Sequence, residues 1–125
     1  MSNCLVLLSF SFLFSCNKAK VEEVCLTPMS VSFKQDLQPI FNTNCATSGC
    51  HAGTKAAGGL NLEASVAYAN LTDTKSGYID TLDPKTSLLY TSMTSVTNPM
   101  PPNGKLGKCT TDLILKWIEQ KAKNN

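Results

Sequence analysis

Cys45-Ala46-Thr47-Ser48-Gly49-Cys50-His51 places two cysteines and the only histidine of the chain within seven residues. Two thiols followed by an imidazole can attach a haem, because each sulfur adds across one vinyl group and the histidine then lies beneath the iron. The common spacing is C-x-x-C-H, and this chain has C-x-x-x-x-C-H. Small residues and Gly49, which tolerates a positive φ angle, allow the longer loop to bulge outward. The stretch predicts covalent haem at Cys45 and Cys50, with His51 as an iron ligand.

Further segments, in this order, resemble the small class I bacterial c-type cytochromes, in particular short membrane-anchored members with the second iron ligand in a Met-Pro-Pro segment. The resemblance covers about residues 32–121 and rests on four segments: Phe33–Phe41 before the cysteines, Gly58-Gly59-Leu60-Asn61-Leu62, Asn98–Gly104, and Leu113–Ile118 with Trp117. It implies an all-α, cytochrome c-like fold of about four short helices around one covalent haem c. It also implies that His51 and Met100 are the axial ligands.

Length and composition favour one compact domain. With 125 residues and 7% aromatic residues, the protein core alone would be thin, and a buried haem would complete it. The net charge is +2, and all 11 basic residues are lysine. Nucleic-acid binding is not expected, since it favours clustered basic residues that include arginine. We expect a monomer.

The first 15 residues predict a lipoprotein-type signal peptide. The uncharged apolar stretch from Leu5 to Phe14 is too short to span a bilayer, which takes about 20 residues, and it suits a signal peptide although no basic residue precedes it. Leu13-Phe14-Ser15-Cys16 resembles a lipobox, so Cys16 is the expected lipidation site. Residues 16–31 would form a polar tether that lifts the domain, residues 32–125, off the membrane. The alternative is a buried hydrophobic helix.

The helix signals are distributed over the expected domain. Ser32 to Asn44 has a possible capping box of Ser32 and Gln35, although Pro39 would kink or shorten the helix. A short helix is expected from about Glu63 to Leu71. Another begins after Asp83, with Pro84 at its first position, and runs to about Ser95. A last helix, capped by Thr110 or Thr111, runs to about Ala122.

Met100 is the expected second iron ligand. Pro99, Pro101 and Pro102 stiffen the backbone around it, which would help a weak thioether ligand to stay on iron. The alternative is a surface loop with an incidental methionine. Met93 and Met29 are rival ligands, but Met93 fits a helix core and Met29 lies in the tether region.

The six cysteines divide into four groups. Cys4 is removed with the signal peptide, Cys16 takes lipid, and Cys45 and Cys50 take the haem. Cys25 and Cys109 remain. An exported compartment favours disulfides, and these two lie just before the terminal helices that should meet, so we predict that they pair.

The leading hypothesis is an exported, lipid-anchored monohaem cytochrome c that carries single electrons and is not itself an enzyme. Its partners would be redox proteins, such as a membrane dehydrogenase, oxidase or reductase. It would lie in the cell envelope, facing the periplasm from the inner or outer membrane. One alternative is a five-coordinate haem sensor or peroxidase. Another is a haem-free structural or binding lipoprotein in which Cys45 and Cys50 form a second disulfide or bind zinc.

Overall fold

The computed structural model describes residues 23–125, and within this range the secondary structure is helical, with no strand. The all-α prediction is therefore confirmed for the described chain. The expected signal peptide, residues 1–15, and the lipidation site Cys16 lie outside the described residues. Four α-helices follow one another: α1 Gln38–Asn44, α2 Ala67–Thr72, α3 Leu88–Thr94 and α4 Lys108–Glu119. Short 3₁₀ turns occur at Ala57–Gly59 and Pro84–Thr86.

A single π-helical turn, Phe33–Leu37, precedes α1. The Ser32 hydroxyl accepts from the Gln35 amide at 3.2 Å, and the Ser32 amide donates to the Asp36 carboxylate at 2.7 Å. The capping prediction was thus correct for Ser32 and wrong for its partner, because in the wider π turn Asp36 is the side chain that reaches back. Pro39 lies in the first turn of α1, directly after the π turn.

Two of the middle helices are shorter than expected. Residues 63–66 form a turn, and α2 begins only at Ala67. The helix expected after Asp83 is interrupted at Ser87, whose backbone is extended (φ −49°, ψ 129°). The buried Ser87 hydroxyl accepts from the Asp80 amide at 2.8 Å and donates to the Asp80 carbonyl at 3.3 Å. These two hydrogen bonds connect Ser87, which separates the 3₁₀ turn from α3, to the loop that contains Asp80.

The last helix begins earlier than expected. Gly107 is its N-cap residue, and the Thr111 hydroxyl donates to the Lys108 carbonyl from inside the helix, so neither Thr110 nor Thr111 caps it. After Glu119 the chain reverses through Lys121 and Ala122, both with positive φ. The Trp117 indole then donates to the Lys123 carbonyl at 2.9 Å.

The core lies where α4 crosses the first helical segment. Trp117 is fully buried there, with its ring centroid 5.2 Å from that of Phe33. Tyr68 on α2 packs edge-on against Phe33 at 5.2 Å. The largest completely buried side chains are Trp117, Phe41, Leu37, Leu62, Leu71, Ile114 and Ile118. Trp117 therefore has the packing role expected from the sequence.

Two long-range connections close the fold at its N-terminal side. A disulfide joins Cys25 to Cys109 at the start of α4. Asn125 accepts from the Phe33 amide through its side chain and from the Lys34 amide through its carbonyl, at 3.1 and 3.0 Å. Val31, expected to end the tether, is 1% exposed and belongs to the core. No helix within residues 23–125 is long and apolar enough to cross a membrane.

Candidate functional site

One cavity of about 520 Å³ brings together the four haem-binding residues expected from the sequence. Cys45, Cys50, His51 and Met100 all line it. The remaining lining comes from α3, from the glycine-containing turn and from the Met-Pro-Pro loop: Asn44, Gly49, Ala57, Gly58, Leu60, Leu62, Tyr78, Leu88, Leu89, Ser92, Met93, Pro101 and Pro102. The lining contains no aspartate, glutamate, lysine or arginine, so the cavity is apolar apart from the imidazole and a few polar groups.

The loop between the two cysteines is closed by backbone hydrogen bonds. The Cys45 amide donates to the Phe41 carbonyl at 2.9 Å, so α1 holds the first cysteine. The His51 amide donates to the Cys45 carbonyl at 3.0 Å and brings the ends of the loop together. Gly49 has φ +80°, the conformation that glycine adopts without strain, as the sequence predicted. The four intervening residues are thus accommodated while both cysteines line one cavity.

The His51 ring is oriented by the backbone. Its Nδ1 lies 3.0 Å from the Leu60 carbonyl oxygen. A carbonyl oxygen can only accept, so Nδ1 is the nitrogen that donates, and in the neutral ring Nε2 keeps a free lone pair. Histidines that bind metals in proteins commonly have their second nitrogen held in this way. His51 is therefore prepared to act as a ligand through Nε2.

The segment that holds His51 is itself anchored in the core. The Leu62 amide donates to the His51 carbonyl at 2.8 Å, and the Gln38 side-chain amide donates to the Leu62 carbonyl at 3.0 Å. Gly58, with φ +62°, lines the cavity within the turn before Leu60. Gly58 therefore forms part of a turn and of the cavity wall.

Met100 is fixed to the helix that forms another part of the wall. Its amide donates to the Ser92 carbonyl at 3.0 Å, next to Met93 in α3. Met100 is 44% exposed, whereas Met93 is 4% exposed and also lines the cavity. Met29 is 97% exposed and is not among the lining residues. Of the two rival methionines, only Met93 lies at the site.

The two cysteines of the cavity are unpaired and half-buried. Burial, with a smaller effect from the neighbouring Cys50, raises the pKa of the Cys45 thiol to about 11. At neutral pH Cys45 is therefore a protonated thiol, and the thiolate is the form that attacks electrophiles or binds metal. This environment does not suit an activated nucleophile.

No protein-family model, curated protein or solved structure matches the chain. Across residues 23–125, no group of three or more His, Cys, Asp or Glu side chains is arranged to hold a metal ion. A structural zinc site usually takes four such ligands.

The sequence did not reveal all of the cavity lining. Tyr78 was expected in a featureless loop, yet it lines the cavity, and its hydroxyl donates to the Gly58 carbonyl at 3.2 Å. The Leu89 amide donates to the Tyr78 carbonyl at 3.1 Å and fixes this loop to α3. Nothing in the local pattern around Tyr78 distinguishes it from other loop residues. Trp117 is not among the lining residues.

Proposed function

We propose that this protein is a monohaem c-type cytochrome that carries one electron at a time. The observation that carries the proposal is the convergence of Cys45, Cys50, His51 and Met100 on one apolar cavity. These four residues come from two segments about 50 residues apart, and the sequence had singled them out for this role. A thiol pair, an imidazole and a thioether are the donor set of a covalent haem with two axial ligands.

The size and the chemistry of the cavity support the proposal. Its volume of about 520 Å³ lies within the usual range for ligand pockets, about 300 to 1,000 Å³. Its walls include leucine, proline, methionine and alanine side chains, which suit a flat apolar ring. Its one imidazole is held with Nε2 free to bind iron.

Each residue of the site has a defined role in this proposal. The Cys45 and Cys50 sulfurs would each bond to one vinyl carbon, while the thiol hydrogen adds to the other vinyl carbon. His51 would bind the iron through Nε2 and Met100 through its sulfur. When bound, the haem would supply reversible exchange of one electron between ferric and ferrous iron, with a potential raised by His/Met ligation.

The chain itself would exclude water and close the coordination sphere. Leu60, Leu62 and Leu89 are at least nine-tenths buried and line the cavity. With His51 and Met100 both on iron, no position remains for a substrate, so we propose a carrier and not an enzyme. Leu88 and Met100, which are about half exposed, would lie at the cavity mouth, where a redox partner could approach.

We further propose that the carrier is an exported lipoprotein of the cell envelope. The support is the lipobox-like sequence ending at Cys16 and the disulfide between Cys25 and Cys109, which suits an oxidising compartment. Its partners would be redox proteins in or at the same membrane. The domain is proposed to work as a monomer.

The test is a visible spectrum of the protein made in a host that attaches haem, taken oxidised and reduced and repeated after acid-acetone extraction. We expect pigment that stays on the polypeptide and sharp low-spin bands on reduction. The double variant Cys45→Ala/Cys50→Ala should lose the covalent pigment, whereas the matched variant Cys25→Ala/Cys109→Ala should keep it.

Two outcomes would replace this proposal with an alternative. A colourless protein from a competent host would favour the haem-free lipoprotein. Covalent pigment that binds carbon monoxide rapidly when reduced would favour a five-coordinate iron and hence a sensor or peroxidase.

A further inference from the structure

Residues 24–29 form an apolar segment whose large side chains point away from the protein. Val24 is 83% exposed, Leu26 95% and Met29 97%. Single exposed apolar side chains are common on protein surfaces, and Leu82 and Val96 are examples in this chain. Val24, Leu26 and Met29 differ from these examples, because three large apolar side chains within six residues together present apolar surface along the chain.

This apolar segment is fastened to the domain along its length. Cys25 is bonded to Cys109. The Met29 carbonyl accepts from the Gln120 side chain at 2.6 Å, and the Val31 amide donates to the same side chain at 3.0 Å. The backbone is therefore held at both ends of the segment while its side chains remain exposed. A flexible linker could fold such side chains against itself, but this segment is restrained from doing so.

The surface beside the segment adds apolar area. A groove of about 320 Å³ is lined by Leu26, Pro28 and Leu113 together with the disulfide, and Asp36 is the one charged residue in its lining. The apolar segment and this groove thus form one side of the domain.

The chain that precedes the segment indicates what would cover it. The proposed lipid attachment site, Cys16, lies eight residues before Val24, and eight residues span at most about 28 Å when fully extended. A lipid on Cys16 would therefore keep Val24 within that distance of the bilayer surface at all times. Because the anchor already holds the segment this close, binding of the segment to the membrane costs the domain little further translational entropy.

We infer that the apolar segment 24–29 lies on the lipid bilayer and holds the domain in one orientation. This inference rests on the lipid anchor of the proposed function and changes the expected role of residues 16–31. The tether does not lift the domain off the membrane, because its second half is a fixed contact between domain and lipid. The Cys25–Cys109 bond transmits that orientation to α4.

Hydrogen exchange measured by mass spectrometry tests the inference on the mature, haem-loaded lipoprotein in vesicles of phosphatidylethanolamine and phosphatidylglycerol. The amides of Val24, Leu26 and Met29 donate to no described residue, so they should exchange fast unless lipid covers them. After correction for intrinsic rates, we expect exchange in peptides covering residues 24–29 to be at least tenfold slower in the wild type than in Val24→Ser/Leu26→Ser/Met29→Ser. The matched variant Leu82→Ser/Val96→Ser should retain the wild-type protection of residues 24–29.

The outcomes separate this inference from the proposals on which it rests. Equal exchange in the wild type and the triple variant, with lipid found on the Cys16 peptide, would overturn the membrane contact alone. A Cys16 peptide without lipid would overturn both the anchor and the contact. The haem spectrum of the triple variant should match that of the wild type, since these side chains lie outside the cavity lining. A matching spectrum serves as the control that the variant is folded.

Discussion

The Nδ1 atom of His51 lies 3.0 Å from the Leu60 carbonyl oxygen, so the backbone of one loop selects the tautomer of the only histidine in the chain. The Leu62 amide donates a hydrogen bond to the His51 carbonyl at 2.8 Å. These two bonds hold the ring in one orientation. Such preorganisation reduces the freedom that the side chain must lose on binding.

The first prediction concerns this tautomer in the haem-free protein. We expect nitrogen NMR of the apo-protein to show His51 predominantly protonated on Nδ1 at neutral to weakly basic pH, because a carbonyl accepts only from a protonated nitrogen. With one histidine in the chain, assignment is unambiguous. Denaturant supplies the control, since unfolding should abolish the preference. A folded protein with the proton mainly on Nε2 would contradict the prediction.

The second prediction distinguishes the two methionines of the cavity. Met100→Ala should remove thioether ligation, lower the reduction potential and allow carbon monoxide to bind, if the haem proposal holds. Met93→Leu is the matched control, because it keeps apolar volume at a buried position and should destabilise by less than about 1.5 kcal/mol. Near-infrared magnetic circular dichroism reports the thioether bond. Loss of that signal in Met93→Leu and its retention in Met100→Ala would reverse the assignment.

The third prediction concerns the disulfide between Cys25 and Cys109, which are 84 positions apart. In the chain-entropy model, closing a loop of this length stabilises the fold by about 4 to 5 kcal/mol. We expect Cys25→Ala/Cys109→Ala to lower the free energy of unfolding by up to that amount, measured by urea denaturation. Reduction of the wild type should lower stability in the same way. A loss below about 1 kcal/mol would contradict the prediction. It would indicate that residual structure in the denatured state already restricts the chain without the disulfide.

Several of the features that the sequence could predict are decided by nearby residues. The positive φ of Gly49 follows from the loop it occupies between two cysteines. The burial of Ile114, Trp117 and Ile118 follows from their helical spacing, and the role of Ser32 follows from its place before the first turn. In each case the pattern that allows the prediction spans only a few residues of sequence.

The features that were missed depend on residues outside the local pattern. The break at Ser87 is accompanied by hydrogen bonds to Asp80 in the preceding loop. Tyr78 lines the cavity, and its hydroxyl donates to the carbonyl of Gly58, 20 residues earlier. Asn125 binds the start of the first helical segment across 92 positions of sequence. A local pattern contains no information about such partners.

The last prediction concerns pH and the loop that positions His51. The Glu63 carboxylate accepts from the Asn61 side chain at 2.8 Å and from the Gly53 amide at 3.0 Å. These bonds favour the charged form and hold the pKa of Glu63 below its usual range. Because this pKa is lower in the folded state, the bonds contribute stability above the usual glutamate pKa of about 4.3, and the contribution is lost as pH falls through the folded value.

Glu63→Gln tests this contribution. We expect the wild type to be more stable than Glu63→Gln at pH 7, with the difference shrinking steadily on acidification below about pH 4 to 5. Amide exchange at Gly53 should be faster in the variant at pH 7, because an uncharged side chain accepts more weakly. Glu119→Gln, at an exposed position on α4, is the control and should leave Gly53 exchange unchanged. If the wild type and Glu63→Gln kept the same stability difference from pH 7 to pH 3, the Glu63 charge would not be what fastens this loop.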